Sequence, residues 1–142
     1  MNKLSLLLST SLFLSFSVMA DDNVTITMDI EGATYGYGQI MCAIYDSKSS
    51  FLKEPAAKMI VQIDENNQAQ CVFENMPKGV YAASAVYDLD SNGELKTNFI
   101  GIPKEPVGMS NNHKPKFGPP KFKKSKQQVT GDHVFNIEVD AS

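Results

Sequence analysis

From residue 23 onward, apolar and polar residues alternate with a period of two wherever a period is visible. Val24, Ile26, Met28 and Ile30 stand against Thr25, Thr27 and Asp29, the pattern of a half-buried strand. Residues 38–45 (G-Q-I-M-C-A-I-Y) are apolar on both faces, as in a strand central to its sheet, and residues 59–63 form another β-rich run. Between them, Phe51 and Leu52 follow a polar D-S-K-S-S stretch and are expected to tuck a connecting loop onto the core. Residues 70–73 and 80–87 flank Glu74-Asn75-Met76-Pro77-Lys78-Gly79, where Pro77 fixes φ and Gly79 permits a positive one, and this predicts a hairpin. Residues 134–139 put Phe135, Ile137 and Val139 on one face after a turn at Gly131-Asp132. No segment reads as an amphipathic helix of about ten residues or more, so the expected fold is an all-β two-sheet sandwich of about seven strands.

The N-terminus has a different character. Lys3 precedes an apolar run over residues 4–18, and Val18-Met19-Ala20 offers small positions for a signal peptidase ahead of Asp21. A signal peptide is therefore expected at 1–20, with cleavage between Ala20 and Asp21, a single domain over 21–142, and a periplasmic or secreted location. No later run approaches the roughly 20 apolar residues of a spanning helix, so an integral membrane protein is not expected.

Of the 142 residues, 13 are basic and 16 acidic. Cleavage at Ala20 removes one lysine and leaves 12 basic against 16 acidic residues over 122 positions. That mild acidity argues against a nucleic-acid partner. Every basic residue is a lysine, and seven of them lie between Lys104 and Lys126 against Glu105 alone. Lysine lacks the planar fork of arginine, so this basic stretch reads first as a solvated loop. Cys42 and Cys71 are the two cysteines, each inside a strand-like run. An even count in an exported chain favours a disulfide, and two buried thiols packed as small apolar side chains are the alternative.

Residues 88–112 carry the candidate chemistry, in a long loop expected over about 88–126. Asp88, Asp90 and Asn92 alternate ahead of Gly93, as oxygens do in the first half of an EF-hand-type calcium loop, with the carbonyl of Glu94 next in order. The position of the bidentate glutamate is held by Phe99, so Asn98 or Glu105 completes a shell only if the loop folds back. The other reading is a turn in which the short side chains of Asp88, Asp90 and Asn92 cap backbone amides. Asn98, Glu105, Asn111 and Asn112 are candidates for contact with a protein, small-molecule or glycan partner, or for satisfying the loop's own backbone. Pro103, Pro106, Pro115, Pro119 and Pro120 stiffen the connection, and Gly101, Gly108 and Gly118 admit conformations closed to other residues.

For catalysis the chain offers little. His113 and His133 have no serine or cysteine signature to pair with, and no zinc spacing is present. No catalytic residue and no cofactor other than calcium is expected.

A resemblance sharpens the fold. The run Phe73-Glu74-Asn75-Met76-Pro77-Lys78-Gly79-Val80-Tyr81-Ala82 resembles the F-x-x-L-P-x-G-x-Y-x-V motif of transthyretin-like and carboxypeptidase-regulatory-like sandwiches. With Tyr87-Asp88-x-Asp90-x-Asn92-Gly93, Asn98-Phe99-x-Gly101-Ile102-Pro103, Ser110-Asn111-Asn112 and Phe117-Gly118-Pro119-Pro120, the chain is similar to the family called domain of unknown function 2141. The resemblance implies an exported immunoglobulin-like sandwich of Gram-negative bacteria without an assigned activity. It also marks departures: Tyr87 stands where a histidine is usual, Lys96 where an aspartate is usual, and Lys121-Phe122-Lys123-Lys124 where the stretch is usually acidic. The reading that results is a non-catalytic binding or interaction module displaying residues 88–120. Its alternative is a calcium-stabilised structural module, and a small hydrolase or isomerase is the least supported.

Overall fold

The computed structural model describes residues 22–139; the expected signal peptide and its Ala20/Asp21 junction lie outside them. Eight strands form two sheets: β1 (Asn23–Glu31), β2 (Gln39–Tyr45), β3 (Ala57–Val61), β4 (Ala69–Pro77), β5 (Gly79–Asp88), β6 (Val107–Met109), β7 (Gln127–Val129) and β8 (His133–Glu138). One sheet has the order β4-β1-β8, with β4 antiparallel and β8 parallel to β1. The other has the order β3-β2-β5-β6, and β7 adds to the early part of β5. The expected sandwich is present, with eight strands.

Alternation decides which faces meet. Val24, Ile26, Met28 and Ile30 of β1 are buried together with Phe135, Ile137 and Val139 of the last segment. They pack with Ile40, Cys42 and Ile44 of β2 and with Tyr81, Ala83, Ala85 and Tyr87 of β5 in one core between the sheets. Strand β2 lies between β3 and β5, matching its apolar character on both faces. The outer face of this sheet carries a second cluster of Tyr45, Phe51, Ala82 and Met109. Phe51 is thus buried as expected, but on that outer face, while Leu52 turns to solvent. Coverage from both sides explains the small residues at Ala82, Ala83, Ser84 and Ala85 in the middle of β5.

The hairpin expected at residues 74–79 is not a hairpin. Strand β4 pairs with β1 and β5 pairs with β2, so the Pro77-Lys78-Gly79 corner carries the chain from one sheet to the other. Pro77 has no N–H to give to a ladder, and the Tyr81 hydroxyl donates to the Pro77 carbonyl at 2.6 Å, pinning the corner. Burial, followed by the nearby Asp46 charge, raises the pKa of Tyr81, keeping that hydroxyl a donor.

Cys42 of β2 and Cys71 of β4 form a disulfide with Cα atoms 6.5 Å apart, a covalent tie between the two sheets. Strand β6 approaches β8 so closely that a Cβ on Gly108 would lie 2.4 Å from the Glu138 carbonyl oxygen. Gly108 therefore serves close backbone approach, whereas Gly101 and Gly118 do adopt positive φ. Among the described residues no helix is long and apolar enough to cross a membrane.

Candidate functional site

Strand β5 ends at Asp88, whose side chain is fully buried. Its Oδ2 accepts from Gln39 Nε2 at 2.8 Å and from the Gly93 amide at 2.8 Å, and its Oδ1 accepts from the Asn92 amide at 3.2 Å. One carboxylate thus closes the turn that follows the strand, with Ser91 and Gly93 in positive φ. Gly38, immediately before β2, has φ 71° and leaves space for the Asp88 carbonyl, which would lie 2.6 Å from an added Cβ.

The chain then folds back. Glu105, also buried, accepts from the Leu89 amide through Oε1 at 3.0 Å and from the Lys96 amide through Oε2 at 3.1 Å. Asp88, Asp90 and Glu105 thereby bring three carboxylate oxygens within 4.8 Å of one another. The ammonium of Lys96 pairs with Asp90 at the same place. The bond to Lys96 holds the Asp90 carboxyl below its usual range, and the same bond raises the lysine. The sign follows: with its folded pKa lowered, Asp90 contributes above the ordinary aspartate range and loses that contribution only as pH falls through the lowered value.

Beyond Lys96 a short hairpin projects. The Lys104 amide donates to the Lys96 carbonyl at 2.8 Å, Thr97 bridges Pro103, and the Asn98 amide donates to the Ile102 carbonyl at 2.9 Å. Inside the tip, Asn98 Oδ1 accepts from the amides of Ile100 at 3.0 Å and Ile102 at 2.9 Å, while Gly101 takes the positive φ that reverses the chain. Phe99 stands 98% exposed at this tip, with Ile100 and Ile102 also exposed.

The sequence-predicted residues are distributed accordingly. Asp88 and Asp90 belong to the carboxylate cluster, and Glu105 joins them through the fold-back. Asn92 lies outside the cluster, its Oδ1 accepting from the Glu94 amide at 2.9 Å, and Glu94 is exposed. Asn98 is engaged with its own hairpin. Asn111 bonds the carbonyls of Lys124 and Lys126 at 3.0 and 3.3 Å, and Asn112 Oδ1 accepts from the Glu138 amide at 3.1 Å. These amides act as struts of the long segment. His133 contacts Gln127 Oε1 at 2.7 Å and packs its ring on Phe135.

Calcium takes six to eight oxygens in an anionic shell. Here three carboxylates converge, but five N–H donors and an ammonium already occupy them. The donor set as folded is hydrogen-bonded from within, and the Lys96 ammonium pairs with one of the three carboxylates. Lys96, marked in the sequence as a departure from the family's aspartate, is the cation at the cluster. The apolar tip escaped the sequence reading, signalled only by Phe99, Ile100 and Ile102 lying in a segment without periodicity.

Neither the curated proteins nor the solved structures give a significant match to the chain. A family model does, over residues 28–137, which covers every strand from the middle of β1 to near the end of β8. The chain belongs to the family described as "Uncharacterized protein conserved in bacteria (DUF2141)".

Proposed function

We propose that this protein is an exported, non-catalytic binding module that docks a partner protein through the hairpin at residues 96–104. The observation that carries the reading is the tip itself. Phe99, Ile100 and Ile102 are 98, 65 and 53% exposed on a turn whose backbone is already satisfied by Asn98. Burying a side chain of this size is worth about 1.5–3 kcal/mol, and a rigid aromatic anchor that loses little entropy on docking is the type of residue that dominates interfaces. Below the tip, Glu105 and Asp88 fasten the hairpin to the sandwich, so recognition is separated from the core that supports it. Export is supported by the signal-like residues 1–20 and by a disulfide, which persists in oxidising compartments. The non-catalytic reading is supported by the structural engagement of His133 and, among the described residues, by the lack of a nucleophile paired with a base.

A photo-reactive residue placed at position 100 tests the docking surface in the living cell. The expected result is a discrete adduct that disappears when Phe99→Ser is added and that is not formed from exposed Val134. A pattern identical at both positions, or no adduct at position 100, sinks the reading.

A calcium-stabilised structural module is the second reading, favoured by the convergence of Asp88, Asp90 and Glu105. It requires a calcium-specific rise in melting midpoint, absent with magnesium and lost in Asp88→Ala/Asp90→Ala. We expect equal midpoints in millimolar calcium and in chelator, because five N–H donors and the Lys96 ammonium already engage the carboxylate oxygens that an ion would take.

A further inference from the structure

On the outer face of the five-stranded sheet lies a groove of about 710 Å³. Its apolar wall is formed by Phe51, Pro120 and Phe122. The rings of Phe51 and Phe122 meet edge to face at 5.7 Å, and Phe51 in turn rests on Tyr45 at 5.3 Å. Phe51 is 8% exposed while Phe122 is half-buried, so the apolar surface is recessed and open on one side. Around it stand Lys48, Lys121, Lys123 and Lys126.

None of these four lysines forms an ion pair among the described residues, in contrast to Lys78 with Asp22 and Lys96 with Asp90. Four ammonium groups line one groove of a chain whose net charge is −3. Like charges gathered at a concave site with an apolar wall favour an anion there. The backbone that carries three of them is also held in place. The single helical turn Phe122–Ser125 is fixed by the Ser110 hydroxyl on the Ser125 carbonyl and by Asn111 on the carbonyls of Lys124 and Lys126. The Ser110 oxygen accepts in addition from the Ala83 amide at 2.9 Å, which ties the turn to β5.

The two halves of the groove ask for different chemistry in one molecule. Lysines act as point charges without a bidentate fork, so they suit a compact anionic head in any orientation. The aromatic wall suits an unbranched apolar body, and the volume falls within the usual range of about 300–1,000 Å³ for small-ligand sites. We propose that the groove binds a free single-chain anionic amphiphile, a fatty carboxylate, with its tail along Phe51, Pro120 and Phe122 and its head among the four lysines. A free molecule is favoured over a bilayer surface because the apolar wall is recessed, and a bilayer reaches only groups that project.

Titration of the purified protein with dodecanoate below its micellar concentration, read by calorimetry and amide chemical shifts, tests this. We expect one saturable site per chain, with shifts centred on residues 121–126, and an affinity weakened at least tenfold in Lys121→Gln/Lys123→Gln/Lys126→Gln and in Phe122→Ser. The lysine variant changes only exposed charge and keeps the test valid if Phe122→Ser folds poorly. Acetate and dodecyltrimethylammonium, which carry the head charge or the tail alone, should not saturate. Absence of saturable binding, equal affinity for the cationic amphiphile, or unchanged affinity in the lysine variant would each overturn the proposal. So would binding to phosphatidylglycerol vesicles without binding to free dodecanoate, which would transfer the site to a membrane surface.

Discussion

Asp88→Ala should lower the stability of the protein by about 3 kcal/mol and loosen the segment that follows β5, because a fully buried carboxylate there accepts three hydrogen bonds. Two of the donors are backbone amides, of Asn92 and Gly93, that have no other way to turn the chain, and the third is the Gln39 side chain. Removing the acceptor leaves these donors facing a small cavity. Asp88→Asn preserves the shape and one acceptor oxygen but turns an NH₂ toward an N–H, so it should cost about 2 kcal/mol. Denaturant midpoints would give the order wild type, Asn, Ala. Amide exchange would show faster opening at Asn92 and Gly93, with the β1 amides unchanged relative to global stability. Asp90→Ala, at an exposed position, should leave the midpoint close to wild type. An Asp88→Ala variant within about 0.5 kcal/mol of wild type, the range of an ordinary surface substitution, would mean that the loop is held by something other than this carboxylate.

That asymmetry between two acids of the same motif is where sequence reasoning ran out. Alternation was sufficient to place Val24, Ile26, Met28 and Ile30 inside, and likewise Phe135, Ile137 and Val139, because one buried face repeats at a fixed period and a slip by one residue would expose all of them. The Cys42–Cys71 bridge was legible on a different ground, an even count of cysteines behind a signal-like N-terminus, and the fold places each on an inward position of its strand. The corner at Pro77 was not, because Pro-x-Gly marks a reversal without saying which sheet receives the next strand; only pairing with β1 or β2 decides that. Strands β6 and β7 have three residues each, too few to show a period, and exist because β5 offers its free edge. Within the loop, the D-x-D-x-N-G spacing located the carboxylates but left open whether they hold an ion or amides. Glu105 joins Asp88 and Asp90 only through the fold-back at residues 96–104, a long-range approach that the spacing does not announce. The exposed tip and the lysine-lined groove are likewise properties of surface shape, to which composition is blind.

Removing the disulfide by Cys42→Ala/Cys71→Ala should have an effect at least as large as that of Asp88→Ala, and through a different state. The bond joins positions separated by 29 residues, and closing a loop of that size restricts the unfolded chain by about 3–4 kcal/mol in the chain-entropy model. Both cysteines are buried in the core, so the alanine pair also forfeits sulfur contacts, although the two small side chains leave the sheets able to settle together. The melting midpoint should fall by roughly 10–15 °C. The slope of the denaturant transition discriminates between the two causes. A freer unfolded chain exposes more surface and steepens the slope, whereas a loss confined to native packing leaves it unchanged. A steeper slope with a lower midpoint would locate the contribution in the unfolded state. An unchanged slope with a small loss, within about 1 kcal/mol, would mean that the sheets are held together by the core of Ile26, Ile44, Phe135 and Ile137 without help from the covalent tie.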